Sequence, residues 1–293
     1  MPAGMHDRIK KNIEFATEKI NMKGGYKSVW SYRFDYPINA EPRWGYGRPS
    51  HPGMLDLLES QIKQYTELLE TFHQLQQEFS SIGEMPSKIT EPCWNNNYFS
   101  SLDAAALMSL IALRTPRQYV EIGSGYSTKF ARQIITSRSL STKVISVDPN
   151  PRSEIDSLCD QIIRQPIETV GPPFFDMLGS GDILFFDGSH RIFQNSDVVA
   201  FFYDVLPRLK SGVLVHVHDI FWPDDYPPEW KWRHYSEQYL LGALMLWGTM
   251  KFRILLPNFF VSRHPSTAPL IEGLGIPPTY PSSMNNSFWF EVL

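Results

Sequence analysis

Four segments in the middle of the chain are short apolar runs that end in polar residues. They are RQYVEI (117–122), KVISVD (143–148), DILFFDGSH (182–190) and VLVHVHDIF (213–221). Continuous apolar runs of this length are typical of parallel strands that are covered on both faces. Ligands of such sheets collect where the strands end. The pattern therefore predicts an open α/β sheet with a polar ligand site at its carboxyl edge.

A helical pattern precedes these strands, with apolar residues spaced alternately four and three apart. The stripe comprises Leu58, Ile62, Tyr65, Leu69 and Phe72, between Pro52 and Ser80. This spacing places the residues on one helix face, which needs a partner surface. We expect that surface to be the main domain; dimerisation and a lid over the site are the alternatives. A second helix is predicted over residues 102–114.

The end of the chain contains two further strand patterns, KFRILLP (251–257) and SFWFEVL (287–293). They predict strands that complete the same sheet rather than begin another domain. We therefore divide the chain into an N-terminal arm and helical extension (1–92) and a main domain (93–293).

The first strand runs into a glycine turn at Gly123, Ser124 and Gly125, and the next helix is predicted to begin near Lys129, capped by Ser127 or Thr128. Backbone N–H groups at such a turn, together with the positive helix end, suit a nucleotide-like ligand. The third glycine of the dinucleotide fingerprint is absent, since Thr128 stands in its place. A carboxylate at Glu121 would repel a pyrophosphate but suits an ammonium group. S-adenosylmethionine carries an ammonium and no phosphate, so it is favoured over NAD.

These segments resemble the class I S-adenosylmethionine-dependent methyltransferases, particularly a bacterial small-molecule subfamily. The resemblance spans roughly residues 93 to 262, from CWNNNYFSSLDAAAL through EIGSGYST and SVDPNPR to VHVHDIFWPDDYP. It implies a Rossmann-like seven-stranded sheet, mostly parallel with an antiparallel C-terminal strand, and S-adenosylmethionine as cofactor. The predicted cofactor-binding residues are Glu121, Gly123, Ser124, Gly125, Ser127, Asp148 and Asp187. Asp148, at the second strand tip, is expected to accept the ribose hydroxyls.

The acceptor chemistry is assigned to Asp187, His190, His218 and Asp219, which converge if their strands are neighbours. In one mechanism a divalent metal (Mg, Mn or Fe) is bound by Asp187, His218 and Asp219 and activates a substrate hydroxyl. The resemblance to metal-dependent O-methyltransferases supports this mechanism. In the other, His190 or His218 is the general base beside Asp219. For His216 we expect burial in the core.

Composition narrows the class of partner. The net charge of −4 disfavours nucleic acid, and no apolar run is long enough to span a membrane. The N-terminus lacks the apolar centre of a signal peptide, which predicts a cytoplasmic protein. The prediction is methyl transfer to a small molecule, most favourably to a hydroxyl. An NAD-dependent oxidoreductase and a non-catalytic cofactor-binding module are the alternatives, and a homo-oligomer through the N-terminal helix is left open.

Overall fold

The computed structural model describes residues 41–247, 251–278 and 285–293, and it contains a seven-stranded sheet. The strands are β1 (Gln118–Ile122), β2 (Lys143–Val147), β3 (Gln161–Ile163), β4 (Ile183–Phe186), β5 (Leu214–Val217), β6 (Phe252–Pro257) and β7 (Phe288–Val292). Their order is β3-β2-β1-β4-β5-β7-β6. The first five strands are parallel, and β7 is antiparallel to both of its neighbours. This architecture confirms the predicted fold class.

Helices surround the sheet. They are α1 (Pro52–Glu59), α2 (Ile62–Phe72), α3 (Gln76–Ser80), α4 (Ser101–Arg114), α5 (Tyr126–Ser137), α6 (Ile167–Val170), α7 (Asp197–Val199), α8 (Glu237–Trp247), α9 (Asn258–Val261) and α10 (Ala268–Glu272). Short 3₁₀ turns occur at His73–Leu75, Asp156–Leu158, Pro172–Met177, Leu206–Arg208 and Pro228–Arg233, and a π turn at Ala200–Val205. In the described ranges, every helix is too short or too polar to cross a bilayer.

The strand register brings the predicted site residues to one edge. Ile122, the last residue of β1, pairs with Val147 of β2 and Phe186 of β4. Phe186 in turn pairs with Val217 of β5. The residue after each of these positions therefore begins a loop on the same side of the sheet, and those residues include Gly123, Asp148, Asp187 and His218.

The N-terminal helices belong to the same core as the sheet. Leu58, Tyr65, Leu69 and Phe72 are fully buried and share one apolar cluster with the strands. The apolar stripe is thus covered within the chain, as expected for packing on the main domain. Residues 41–293 form one compact unit, and the division at residue 92/93 stays a prediction. Residues 1–40 of the predicted arm lie outside the described residues.

Two local predictions differ from the structure. Helix α5 begins at Tyr126 rather than near Lys129, and Gly125 is its N-cap; Thr128 instead accepts a hydrogen bond from the Gly125 N–H over 3.1 Å. The turn is therefore shorter than the sequence pattern indicates. Strand β3 has no apolar run because it is the exposed edge of the sheet, and edge strands lack the burial that produces such a run.

Candidate active site at the carboxyl edge of the sheet

The two glycines of the turn, Gly123 and Gly125, have different surroundings. Gly123 has a φ of 82°, and a Cβ there would lie 1.9 Å from the Asp187 carbonyl oxygen. Only glycine lets the turn after β1 approach the end of β4 so closely. A Cβ on Gly125 would meet no protein atom within 4 Å. The space above this glycine is therefore free of described protein atoms.

Glu121 lies beneath the turn and is fully buried. The Tyr119 hydroxyl donates to its Oε1 over 3.0 Å, and the Thr128 hydroxyl donates to its Oε2. Burial raises the pKa of Glu121 to about 7, although the hydroxyls that bond to it act in the opposite direction. One of those hydroxyls belongs to Ser127, so Ser127 is turned towards Glu121. Both oxygens of this predicted cofactor ligand are therefore engaged by the protein.

Asp148 links the tip of β2 to the glycine turn. Its Oδ2 accepts the Ser124 N–H over 2.7 Å, and its Oδ1 accepts the Asn150 N–H over 2.7 Å. The Ser124 hydroxyl also hydrogen-bonds with Ser146 over 2.8 Å. Asp148 is only partly buried. Its carboxylate is thus held in place beside the turn while one side remains accessible, which suits the predicted contact with a ribose.

A cleft of about 730 Å³, including its open mouth, lies at this edge of the sheet. It is lined by the segment before α4, by the ends of β4 and β5, and by the loops that follow: Asn96, Asn97, Tyr98, Phe99, Ser100, Arg152, Asp187, His218, Asp219, Trp230, Arg233, Tyr235 and Asn286. Three of the four residues predicted for acceptor chemistry therefore share one cleft. His190 is not among the residues that line it.

His190 lies behind the cleft, with 2% of its surface exposed. Its Nε2 is 3.1 Å from Asp187 Oδ1 and 3.3 Å from Asp219 Oδ2, and its Nδ1 is 2.8 Å from Glu237 Oε2. Burial favours the neutral ring, but the charge of Asp219 and hydrogen bonds with Asp187 and Glu237 raise the pKa of His190 well above its ordinary value. The ring is thus a buried cation among three carboxyl groups, and it cannot accept a proton in that state.

The pKa values of Asp187 and Glu237, two carboxyl groups beside His190, are shifted in opposite directions. Burial opposes the charge on Asp187, yet the hydrogen bond from His190 and the charges of His218 and His190 lower the pKa of Asp187. For Glu237, which is fully buried, burial raises the pKa to about 7 despite the hydrogen bond with His190. Asp187 therefore stays charged to a lower pH than an ordinary aspartate.

Asp219 is fixed by a residue that the sequence did not point to. It has a φ of 57°, an uncommon value for a residue with a side chain. The Asn286 side-chain amide donates to Asp219 Oδ1 over 2.8 Å, and the Asn286 carbonyl accepts the Ile220 N–H over 2.9 Å. Asn286 is itself held by Asp103 of α4, whose Oδ2 accepts its N–H over 3.1 Å. Such strained residues persist where the surroundings fix them, commonly at functional sites.

The two histidines of β5 have separate surroundings. His216 is fully buried, stacks on Phe185 with ring centroids 3.7 Å apart, and hydrogen-bonds with Ser287 over 2.8 Å. It is a core residue, as predicted. His218 lines the cleft; its Nδ1 is 3.4 Å from the Ser287 hydroxyl and its Nε2 is 3.9 Å from Asp219 Oδ1. His218 is thus the histidine placed to meet a ligand.

The predicted metal set does not fit this arrangement. Asp187 Oδ1 and Asp219 Oδ2 both face His190, whose cationic ring lies between them. Within the described ranges, no three histidine, cysteine, aspartate or glutamate side chains are grouped so that they could hold an ion. The carboxylate oxygens that the ion would need, Asp187 Oδ1 and Asp219 Oδ2, are instead engaged by His190 Nε2. No step of the mechanism proposed below therefore depends on a metal ion at Asp187, His218 and Asp219.

The outer wall of the cleft comes from the tryptophan-rich loop after β5. Trp230 and Tyr235 line the cleft, whereas Trp222 is packed against Gly242 of α8 in the core. Trp232 is largely exposed. Of the three tryptophans named here, Trp230 is the one that lines the cleft.

One comparison with known proteins supports the interpretation of the central sheet as part of a methyltransferase domain. Residues 120–220 match a family model described as a methyltransferase domain. No curated protein matches the sequence. Among solved structures, the chain is similar to the SAH-bound methyltransferase PaMTH1 of Podospora anserina, with 13% identity and a TM-score of 0.42, over 85% of this chain and 100% of that one. At this TM-score the likeness adds nothing to the family match.

Proposed function

We propose that the protein transfers a methyl group from S-adenosylmethionine to a hydroxyl of a small molecule; the match of residues 120–220 to a methyltransferase domain and the strand order of the sheet support this. The observation that carries the proposal is the free space above Gly125, next to the Asp148 carboxylate. Open space beside a glycine lets a ligand approach the backbone closely.

The cofactor would be held by the turn and by the tip of β2. Asp148 would accept the ribose hydroxyls with the oxygen lone pairs that Ser124 and Asn150 leave free. Asn96 and Asn97, which line the cleft, would meet the methionine end. Glu121 would act indirectly, because its bond from Thr128 supports the turn at Gly125. When bound, S-adenosylmethionine supplies an electrophilic methyl group on a sulfonium.

The chain's own residues would then place the acceptor oxygen and take its proton. We assign proton removal to His218, because it lines the cleft and His190 does not. The Ser287 hydroxyl, 3.4 Å from Nδ1, would orient the imidazole, and Asp219, 3.9 Å from Nε2, would balance its charge after it gains the proton. His190 would keep Asp187 and Asp219 in position as a buried counter-charge rather than act as base. Methyl transfer is in-line, so this alignment contributes much of the rate.

Two measurements test the proposal. Calorimetry should detect binding of S-adenosylhomocysteine and none of NAD; binding of NAD alone would support the oxidoreductase alternative. A panel of hydroxylated small molecules, incubated with labelled S-adenosylmethionine, should give at least one labelled product. His218→Gln should lower that turnover by about 10²-fold or more without weakening S-adenosylhomocysteine binding. The matched control is His73→Gln, which lies outside the cleft. Cofactor binding without turnover of any acceptor would favour the non-catalytic module.

A further inference from the structure

Arg233, a cation in the wall of the cleft, has one N–H group that donates no hydrogen bond to a described residue. Arg233 lines the cleft, and its guanidinium lies 3.8 Å from the ring centroid of Trp230. The Nε of Arg233 is buried and has no hydrogen-bond partner among the described residues. A buried donor without a partner is costly, and more so on a charged group. Arg233 lines the cleft and forms no ion pair with a described carboxylate, so its charge is left for a ligand there.

The position of Arg233 is fixed by its neighbours. Arg191 Nε donates to the Arg233 carbonyl over 2.9 Å, and the Arg191 guanidinium lies 5.2 Å from the ring centroid of Tyr235. His234, directly after Arg233, adopts a φ of 53° that turns the chain. The guanidinium is therefore presented by a braced loop rather than by a freely moving side chain.

Several arginines outside the cleft form ion pairs with carboxylates, unlike Arg233: Arg117 with Asp182, Arg132 with Asp160, Arg138 with Glu78, Arg164 with Asp156, and Arg208 with Asp176. A second arginine, Arg152, also lines the cleft, and its charge acts on Asp187. The cleft thus combines two carboxylates at the strand tips with two guanidinium groups on its walls.

We propose that the acceptor is a flat, ring-containing molecule that carries a carboxylate as well as the hydroxyl to be methylated. Its carboxylate would pair with Arg233, its ring would pack on Trp230 and Tyr235, and its hydroxyl would face His218. The negative charges of Asp187 and Asp219 would repel a carboxylate from the strand tips, so the charge pattern gives the acceptor one orientation. This inference rests on the proposed methyl transfer and adds the class of substrate to it.

The probes are 3-hydroxybenzoate and 3-hydroxybenzamide, which share a ring and a hydroxyl and differ in charge. Their affinities are measured by calorimetry or ligand-observed NMR with the protein saturated with S-adenosylhomocysteine. We expect the benzoate to bind about tenfold more tightly than the benzamide, as charge-assisted pairing predicts. Arg233→Met, which retains the apolar stem over Trp230, should abolish the preference. Arg208→Met, which removes an exposed arginine outside the cleft, should leave it unchanged.

Two different measurements separate the proposed methyl transfer from the proposed class of acceptor: the affinity for S-adenosylhomocysteine and the affinities for the two probes. Failure of the unmodified protein to bind S-adenosylhomocysteine would overturn methyl transfer itself. With that binding intact, equal affinity for the two probes, no binding of the benzoate, or an undiminished preference in Arg233→Met would overturn the carboxylate assignment alone. A loss of S-adenosylhomocysteine affinity in Arg233→Met would also overturn it, because the guanidinium would then serve the cofactor's own carboxylate. Arg233→Gln, with folding checked by thermal unfolding, repeats the test if the methionine variant is unstable.

Discussion

Asn286 holds Asp219 from two directions: its side-chain amide donates to Oδ1 over 2.8 Å, and its carbonyl fixes the next residue, Ile220, over 2.9 Å. The two residues are 67 positions apart in the chain. Asn286 therefore ties the loop before β7 to the end of β5 and sets the position of the acid beside His218.

Replacement of Asn286 should affect turnover more than cofactor binding. Asn286→Ala removes the donor to Asp219, and we expect kcat to fall about tenfold for any acceptor that the unmodified protein methylates, with S-adenosylhomocysteine affinity within about twofold. Asn286→Asp should be worse, because it places a second negative charge against Asp219. Asn150→Ala serves as a control outside the cleft. Equal kcat in the alanine and aspartate variants would contradict an electrostatic role.

The glycine turn provides a matched pair of substitutions. Gly123→Ala places a Cβ 1.9 Å from a backbone oxygen at a φ of 82°, so we expect a large loss of stability in thermal unfolding. Gly125→Ala meets no protein atom within 4 Å and should fold normally. It should nevertheless weaken S-adenosylhomocysteine binding about tenfold or more in calorimetry, because the methyl group occupies the space assigned to the ligand. Unchanged binding in Gly125→Ala would contradict the cofactor site.

Glu121 should make stability depend on pH. Its pKa is raised to about 7 by burial, so the stability it contributes is fully present below its ordinary value of 4.5 and is lost as the pH rises through about 7. Relative to the unmodified protein, Glu121→Gln should therefore gain roughly 2 to 3 kcal/mol in free energy of unfolding between about pH 5 and pH 8. Denaturant unfolding at each pH measures this. A parallel course for the two proteins would show that the carboxyl titrates normally.

His190 should matter for folding more than its exposure indicates. His190→Ala leaves Asp187, Asp219 and Glu237 around an empty space, and removal of one partner from a buried charged group typically costs about 3 to 5 kcal/mol. Thermal unfolding of His190→Ala beside His73→Ala measures the effect, since His73 lies apart from these acids. A stable His190→Ala that loses only turnover would instead assign His190 the role of base.

Removal of divalent metal ions tests whether methyl transfer depends on a metal. Because the carboxylates at the ends of β4 and β5 face a cationic ring, dialysis against EDTA should leave both S-adenosylhomocysteine affinity and methyl transfer unchanged. Addition of Mg²⁺ or Mn²⁺ should not raise turnover. Activity that is lost with EDTA and restored by either ion would revive the predicted site at Asp187, His218 and Asp219.

The sequence predicts the sheet and its ligand edge because strands buried on both faces leave a continuous apolar pattern, as in Ile183–Phe186. It also identifies Asp187, His218 and Asp219, since these directly follow such strands. Asn286 escapes prediction because it reaches the site from 67 residues away, through a hydrogen bond to Asp219. No local period marks a residue of that kind. Likewise, the engagement of Glu121 by Tyr119 and Thr128 depends on packing rather than on spacing.

Asp103 of α4 accepts hydrogen bonds from Asn258, Asn286 and Ser287, and so joins the helix before the sheet to the lead-in of the last strand. An expression fragment designed on residues 120–220 alone would retain the glycine turn and every acid of the strand tips. It would nevertheless lack Asn286, whose amide orients Asp219, and Asp103, which holds Asn286 in place. For this chain, the smallest working unit extends well beyond its recognisable family segment at both ends.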